Sequence, residues 1–270
     1  MKLVTPSFYK DFKCIAGDCP DSCCQGWEVD ADPDSLEYYK TLNGEIKQRI
    51  DSVLDKDEFG NTIFRLTDNK RCPFLNSNNL CDMHIAIGGE HTPYTCRTFP
   101  RFINDFGGTR EMGLSFSCPV ASEIMWNLAE DFSFETTINS DPPSINDIDA
   151  QLYFYLLKSR KKAYEIVQNK NLPLNKRIIE LLRFGKELQN DICKYSEKKP
   201  SVSFKDVFTN PEVINNEWVE KVNNGEYDST VINSKSCENI AVYFIFRYFM
   251  QAVYDLSLIH ISEPTRLRRI

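Results

Sequence analysis

Cysteine is the residue type in this sequence with the clearest capacity for chemistry. The chain has 270 residues and ten cysteines, and eight of the ten fall within the first 118 residues. Even spacing would place only about four there. Cys193 and Cys237 lie far from the others in sequence. The eight clustered cysteines are Cys14, Cys19, Cys23, Cys24, Cys72, Cys81, Cys96 and Cys118. Thiols gathered in this way form disulfides, bind a metal or stay free.

The first four cysteines follow the pattern Cys14-x4-Cys19-x3-Cys23-Cys24. Cys19 and Cys23 are one helical turn apart, so both sulfurs could face one centre, whereas the adjacent Cys23 and Cys24 point differently. Soft thiolates select zinc or iron–sulfur clusters over magnesium or calcium. Structural zinc favours two close cysteine pairs, and iron–sulfur cysteines vary in spacing from family to family. The residues alone leave both metals open.

One histidine and two arginines lie close to these cysteines in sequence. His84 follows Cys81 by three residues and is either a further ligand or, as we favour, a structural residue. Arg97 and Arg101 could bind a carboxylate or phosphate in bidentate fashion, so we predict them as cofactor-binding residues. The alternative is that these two arginines neutralise thiolates and acidic neighbours.

Charge and hydropathy narrow the range of partners. The formal net charge of −7 does not favour nucleic acid or an anionic membrane as a partner. The N-terminal residues lack the apolar run of a signal peptide, and the most apolar segment, residues 240–246, is too short to span a bilayer. We therefore expect a cytoplasmic protein with no nucleic-acid or membrane partner. The reducing conditions of the cytoplasm favour metal over disulfides at the cysteines.

Hydrophobic periodicity and turn residues predict a mainly α fold with minor β structure, in which an irregular N-terminal cysteine-rich metal-binding region precedes a helical region. The expected domains are residues 1–140, 141–256 and 257–270: the cysteine-rich region, a helical region and a tail. A loop is expected over residues 1–30. The predicted helices cover about 33–55, 81–87, 119 onward, 147–169, 174–195 and 237–256. The predicted strands cover 63–66 and 112–117.

The last 14 residues, 257–270, resemble translated sequencing-adapter DNA more than native protein, although a genuine basic tail is the alternative. We therefore expect the natural protein to be longer and residues after Ser257 to lack packed structure. The preceding segment Ile240–Tyr254 is apolar nearly all round, as in a buried helix. With little left to cover it, that helix should be partly exposed.

Five short motifs together resemble one known family. They are Phe12 with Cys14 through Cys23-Cys24-Gln25-Gly26-Trp27, Cys72-Pro73-Phe74-Leu75, Leu80-Cys81-x2-His84, Cys96-Arg97-x2-Pro100-Arg101 and Ser117-Cys118-Pro119. This combination is similar to the bacterial flagellin lysine-N-methylases, a branch of a wider group of zinc- or iron-chelating cysteine-cluster proteins. The resemblance is close over roughly residues 8–125 and loose in the helical remainder.

The resemblance implies a protein-lysine N-methyltransferase that acts on flagellin with S-adenosylmethionine. It also implies an iron–sulfur cluster, [4Fe–4S] in preference to zinc, with the eight clustered cysteines as the metal-binding set. Neither the resemblance nor the spacing identifies the ligating four. The alternative is a metal-binding or electron-transfer cysteine-cluster protein without methyltransferase activity, because no S-adenosylmethionine pocket is recognisable in the sequence.

Overall fold

A computed structural model of the chain describes residues 1–144, 148–192, 234–255 and 258. Two compact units divide these residues. We call the first, with residues 1–7, 104–111 and 125 onward, the sheet–helix unit, and the second, with residues 8–103 and 112–124, the cysteine unit. Of the described residues, about 50% are helical and 16% are in strands, so α and β structure both contribute to a fold that was predicted as mainly α. The predicted domain limits stay a prediction.

A four-stranded sheet is built from segments far apart in the sequence. Its strands lie in the order β5-β6-β1-β7. Strand β1 is parallel to β6, with Lys2 opposite Thr109, and antiparallel to β7, with Lys2 opposite Ile138. The strands are β1 (Lys2–Pro6), β5 (Arg101–Phe106), β6 (Thr109–Leu114) and β7 (Phe134–Ile138). The expectation of a loop over residues 1–30 is therefore wrong for residues 2–6, whose pairing partners lie more than 100 residues away.

The helices of the sheet–helix unit pack with one another around an apolar core. They are α6 (Ala150–Val167), α7 (Leu174–Ile192), α8 (Ser234–Tyr248) and the short α9 (Ala252–Asp255). Asp149 caps α6 by accepting hydrogen bonds from the Gln151 and Leu152 amides, at 2.8 and 2.9 Å. Among the described residues, no helix is long and apolar enough to cross a membrane.

The apolar segment Ile240–Tyr254 is largely buried, contrary to the expectation of partial exposure. Val242, Ile245 and Phe249 are fully enclosed, although the side chain of Tyr254 is half exposed. Leu258 is also buried, and its amide donates a 2.6 Å hydrogen bond to the Gln189 side chain, so the expectation of no packing after Ser257 is wrong at this residue. The other tail residues, including Ile259, Ile261 and Leu267, lie outside the described residues.

The cysteine unit combines short elements around a small aromatic core. Its three-stranded antiparallel sheet has the order β2-β4-β3. The strands are β2 (Val29–Asp30), β3 (Leu54–Lys56) and β4 (Thr62–Phe64). The helices are α1 (Pro33–Thr41), α2 (Glu45–Val53), α3 (Asp82–Ile87), α4 (Tyr94–Thr98) and α5 (Pro119–Trp126), of which the last ends in the sheet–helix unit.

Local signals place most of these helix ends where they were predicted. Asp32 caps α1, Pro33 is its first residue, and the Ser35 amide donates to the Asp32 carboxylate at 3.1 Å. Gly88 ends α3 with a positive φ of 85°. The helix predicted over about 33–55 is instead divided in two at Gly44, where φ is 78°, a conformation outside the helical range.

Candidate metal centre

Two distant segments pair to form the base of the cysteine site. The Cys72 amide donates a 2.7 Å hydrogen bond to the Cys24 carbonyl, and the Gly26 amide donates one of 2.8 Å to the Lys70 carbonyl. The chain from Cys24 to Gly26 therefore lies antiparallel to the chain from Lys70 to Cys72. This pairing sets the end of the first cysteine motif beside the start of the second.

A tight loop then returns the chain from Cys72 to Cys81. Leu75 and Cys81 form an isolated antiparallel bridge, and the Asp82 amide donates to the Phe74 carbonyl at 2.8 Å. Cys81 is the N-cap of α3, where its sulfur accepts a 3.4 Å hydrogen bond from the His84 amide. Both cysteines contact the same apolar core. The loop thus brings together the thiols of Cys72 and Cys81, which eight residues separate in the sequence.

An arginine that the sequence analysis did not single out braces this loop. Arg49 donates to the Asp82 carboxylate at 2.7 Å and to the Pro73 carbonyl at 2.6 Å, and its guanidinium lies 5.2 Å from the centre of the Phe74 ring. Phe74 is almost fully buried. A sequence signal for Arg49 existed: it lies three residues after Ile46, on the apolar face of α2, where a charge needs a partner.

Cys72 is a buried thiol surrounded by other thiols. Burial raises its pKa to about 11, and the nearby thiols of Cys81 and Cys23 add to the rise. A hydrogen bond from the Phe74 amide and the positive charge of Arg49 oppose this change without cancelling it. Clustered thiols therefore disfavour one another's charged forms in the metal-free protein.

Cys96, on α4, has the same neighbours. Desolvation raises the pKa of its thiol, and so do the charges of Cys72, Cys81 and Cys23, while Arg97 lowers it. The residue as a whole still keeps solvent-accessible surface. The thiols of Cys72, Cys81 and Cys23 are therefore near enough to Cys96 to influence its ionisation.

Cys23 contacts its sequence neighbour directly. The hydrogen bond between the Cys23 and Cys24 thiols is the largest cause that raises the pKa of Cys23, ahead of desolvation and of the charge on Cys24. The Trp27 indole donates a 3.0 Å hydrogen bond to the Cys23 carbonyl, and the Cys24 amide donates to the Ser22 hydroxyl at 3.2 Å. These bonds hold the turn that carries both cysteines.

The remaining three cysteines interact with one another. Desolvation raises the pKa of Cys118, hydrogen bonds from the Ala121 and Val120 amides lower it, and the charges of Cys19 and Cys14 raise it. Cys118 therefore lies at the first turn of α5, within electrostatic range of the first two cysteines of the chain.

Cys14 and Cys19 also make hydrogen bonds within their own loop. The Cys14 sulfur accepts from the Ala16 amide at 3.4 Å, and the Cys19 thiol donates to the Asp21 carbonyl at 2.6 Å. Cys14 is exposed and Cys19 half-buried. Both sulfurs are accessible to a ligand from solvent.

The two arginines predicted to bind a cofactor are engaged with protein groups. Arg97 donates to the Thr92 carbonyl at 2.5 Å, lies 4.0 Å from the Asp32 carboxylate and sits over the Tyr94 ring. It thereby ties α4 to the N-cap of α1. These contacts with protein groups do not test whether Arg97 binds a cofactor, and that role stays a prediction.

Arg101 lies among aromatic rings. Its guanidinium is 5.2 Å from the centre of the Phe12 ring and 5.9 Å from that of Tyr9, whose hydroxyl it also hydrogen-bonds. Burial raises the pKa of Tyr9, and the arginine partly offsets this rise. The predicted cofactor role of Arg101 likewise stays a prediction. His84 is exposed, with its ring packed against Gly89.

The donor set fits a thiolate-bound metal chemically. Metal binding deprotonates ligating thiols, and a cation offsets the desolvation and the mutual repulsion that raise their pKa values here. In residues 1–144, 148–192, 234–255 and 258, no three histidine, cysteine, aspartate or glutamate side chains already lie together as one ion would require. The structure thus defines which thiols are neighbours, and the ligand set stays a prediction.

The sheet–helix unit contains a separate cavity of about 200 Å³. Its lining includes a buried bidentate ion pair in which Arg160 donates to Glu111 at 2.6 and 2.8 Å. Tyr164 also lines the cavity, and its hydroxyl is buried without a hydrogen-bond partner among the described residues. Small-molecule sites usually enclose roughly 300–1,000 Å³, so this cavity is small for a nucleoside cofactor.

Comparison with known proteins identifies the cysteine-rich segment. Residues 13–117 match the model of the CxxCxxCC family, described as a "Putative zinc- or iron-chelating domain". This segment contains seven of the eight clustered cysteines, and Cys118 follows it directly.

Curated relatives come from Salmonella. The chain is 25% identical over 156 residues to a lysine-N-methylase of Salmonella typhimurium strain LT2, which covers 53% of this chain and 39% of the relative. A lysine-N-methylase of Salmonella choleraesuis is 27% identical with the same coverage. The flagellar biosynthetic protein FliU of Salmonella muenchen is 27% identical over 134 residues, 46% of this chain and 79% of that protein.

The matched region spans about two fifths of the length of the lysine-N-methylases. No solved structure matches the chain.

Proposed function

We propose that this chain is a member of the zinc- or iron-chelating cysteine-cluster proteins that include the lysine-N-methylases, and that it acts as a flagellin lysine N-methyltransferase. In this proposal it uses S-adenosylmethionine, carries an iron–sulfur cluster on its clustered cysteines and works in the cytoplasm. The observation that carries the proposal is the family match over residues 13–117, the segment that contains the neighbouring thiols of Cys72, Cys81 and Cys96.

Methyl transfer sets one requirement on the protein. A lysine amine has a pKa near 10.4, so its deprotonation at pH 7 costs about 4–5 kcal/mol. The neutral amine then attacks the methyl carbon of the sulfonium: the N–C bond forms, the C–S bond breaks, and its electron pair stays on sulfur. A base must take the amine proton, or a desolvated pocket must lower the pKa. The bound cluster would supply redox chemistry or structural support.

The residues of the cysteine unit have separate roles in this proposal. The clustered thiols hold the cluster, and Arg49 braces the loop between Cys72 and Cys81 through its bonds to Asp82 and Pro73. Arg97 and Arg101 are proposed to bind the carboxylate of S-adenosylmethionine, since guanidinium groups pair with carboxylates in bidentate fashion. Flagellin is proposed as the substrate because one relative, FliU, is a flagellar biosynthetic protein.

The test begins with protein purified without oxygen. We expect a brown protein with a broad visible absorbance, bound iron and acid-labile sulfide, and methyl transfer from labelled S-adenosylmethionine to flagellin lysines in the presence of reductant. Mass spectrometry of flagellin peptides would locate the methyllysine. Cys72→Ser should abolish the colour, and Cys237→Ser, which alters a cysteine in the other unit, should retain colour and methylation.

Two outcomes would contradict the proposal in different ways. A protein that contains zinc alone would remove the iron–sulfur cluster from it. A protein with iron and sulfide but no transfer to any flagellin lysine would instead support the alternative of a metal-binding or electron-transfer protein.

A further inference from the structure

The cavity of the sheet–helix unit lies against one face of the four-stranded sheet. Side chains alternate between the two faces of a strand, so Lys2 and Val4 of β1 share this face. The strand register places Glu111 of β6 and Thr136 of β7 on either side of Val4. All four residues line the cavity. Pairing between strands that are distant in sequence therefore fixes this wall of the cavity.

Helix α6 supplies a second wall from a single stripe of side chains. Tyr153, Leu157, Arg160 and Tyr164 follow one another at intervals of four, three and four residues, a spacing that places them on one helical face. All four line the cavity. Leu157 is partly exposed, as are Lys2 and Thr136 on the sheet, so the cavity opens to solvent on this side.

Aromatic rings make the cavity suitable for an apolar body. Phe134 lies 5.5 Å from Tyr164 and 4.7 Å from Phe246, measured between ring centres. These three rings line the cavity together with that of Tyr153. An engineered apolar cavity of about 150 Å³ encloses a benzene molecule. The volume here is about 200 Å³, which suits a molecule somewhat larger than benzene.

The charged groups of the cavity favour an uncharged ligand. Arg160 donates one terminal nitrogen to each oxygen of Glu111, at 2.8 and 2.6 Å, so this buried ion pair is complete in itself. A charged ligand beside the pair would lose its hydration and would face one group of its own sign. Lys2 is exposed, and exposed ion pairs contribute little, so it gives an anion only a weak partner.

One polar atom of the cavity lacks a partner. The Tyr164 hydroxyl is buried and makes no hydrogen bond among the described residues. Desolvation and the charge of Glu111 raise the pKa of Tyr164, against the opposing effect of Arg160, so the hydroxyl keeps its proton near neutral pH. Buried hydroxyl groups are usually hydrogen-bonded, because an unsatisfied donor costs free energy. A ligand that accepts this hydrogen bond would remove that cost.

We propose that the cavity binds a small uncharged organic molecule, with an apolar body the size of one aromatic ring and one hydrogen-bond acceptor that pairs with the Tyr164 hydroxyl. None of the lining residues is one of the clustered cysteines, and the inference does not depend on methyl transfer. The apolar rings bind the body of the ligand, and the Tyr164 hydroxyl orients its polar atom.

The test compares four compounds that share one ring. Benzyl alcohol has the proposed chemistry, toluene lacks the oxygen, and benzylamine and benzoate carry opposite charges at neutral pH. The whole chain is labelled with 3-fluorotyrosine, and the fluorine resonance of Tyr153, assigned by its loss in Tyr153→Phe, reports binding in the cavity. Benzyl alcohol should bind the wild-type chain at least about tenfold more tightly than either charged compound, since burial of an unpaired charge is costly.

A conservative variant tests the hydrogen bond. Tyr164→Phe should weaken the binding of benzyl alcohol roughly 2–10-fold, the effect of losing one hydrogen bond, and should leave toluene binding unchanged. Retained toluene binding also shows that the variant keeps its cavity. The matched control is Tyr155→Phe on the same helix, which removes a hydroxyl that bonds Asp191 and does not line the cavity. It should bind all four compounds as the wild type does.

Three outcomes would overturn the proposal. The first is equal binding of benzyl alcohol by the wild type and by Tyr164→Phe. The second is tighter binding of benzylamine or benzoate than of the alcohol, a ranking that needs no variant. The third is an unchanged Tyr153 resonance with all four compounds, which would mean that water alone occupies the cavity.

Discussion

The two units bury ionisable groups in opposite ways. In the sheet–helix unit, buried charges occur as pairs of opposite sign, such as Arg160 with Glu111. The cysteine unit also has a partly buried pair, Arg49 with Asp82, but in addition it gathers buried and half-buried thiols such as Cys72 and Cys81, which share one sign when ionised. Opposite charges offset each other's desolvation, whereas clustered thiols with raised pKa values stay protonated unless a bound cation stabilises their thiolate forms. We therefore expect removal of a metal to affect the cysteine unit more than the sheet–helix unit.

Metal removal should produce the largest difference in stability between the two units. Structural metal sites contribute about 10–16 kcal/mol in small zinc peptides, and binding of the metal is tied to folding. Chelation should therefore strip amide hydrogen-exchange protection from residues 20–100 and leave peptides of α6 and α7 protected. Equal loss of protection in both units would contradict the distinction drawn between them.

Breaking the ion pair of the sheet–helix unit should have the next largest effect. Arg160→Met leaves the Glu111 carboxylate buried without its partner and should lower the free energy of unfolding by about 3–5 kcal/mol. Urea denaturation followed by circular dichroism measures this loss. The double variant Glu111→Leu with Arg160→Met should recover most of it, because two apolar residues need no compensation. A double variant as unstable as the single one would refute this explanation.

Protonation of Glu238 in acid should lower the stability of the sheet–helix unit by a smaller amount. Burial by itself would raise the pKa of Glu238, but hydrogen bonds from Lys170 and Arg177, both at 2.5 Å, lower it below the ordinary 4.5. A depressed carboxylate pKa contributes stability that is present above the unfolded value and lost as pH falls through the folded value.

Unfolding of the wild-type chain in urea at a series of pH values between 5 and 3 tests this assignment. The free energy of unfolding should decrease as the pH falls, and Glu238→Gln should show a shallower dependence on pH over that range. A variant with the wild-type pH dependence would show that another carboxylate is responsible.

The smallest predicted effect concerns a helix cap in the cysteine unit. Asp32→Ala removes the acceptor for the Ser35 amide and should cost about 1 kcal/mol of stability in thermal unfolding of the metal-loaded protein. Asp34→Ala, two residues away and exposed, is the matched control and should cost less. Similar losses in the two variants would argue against capping as the cause.

Local features of the fold were predictable because their causes lie within a few residues. Asp32 and Pro33 start α1, Gly88 ends α3 and Pro119 starts α5, as the sequence patterns predicted. Capping and left-handed glycine conformations depend on one turn of chain. The break at Gly44 was missed because glycine within a helical pattern is tolerated often enough to be ambiguous.

The sequence by itself determined the chemical character of this protein: eight thiols in the first 118 residues, and a match of residues 13–117 to a zinc- or iron-chelating domain. Only the tertiary structure decided that Lys2 pairs with Thr109 and Ile138, that Arg160 meets Glu111, and which thiols are neighbours. The chemistry of a possible ligand depends only on the type of one residue. Contacts between segments more than 40 residues apart depend on the packing of the elements between them. No spacing rule could have paired the backbone of Cys72 with that of Cys24, because β2, α1, α2, β3 and β4 all lie between these residues in the sequence.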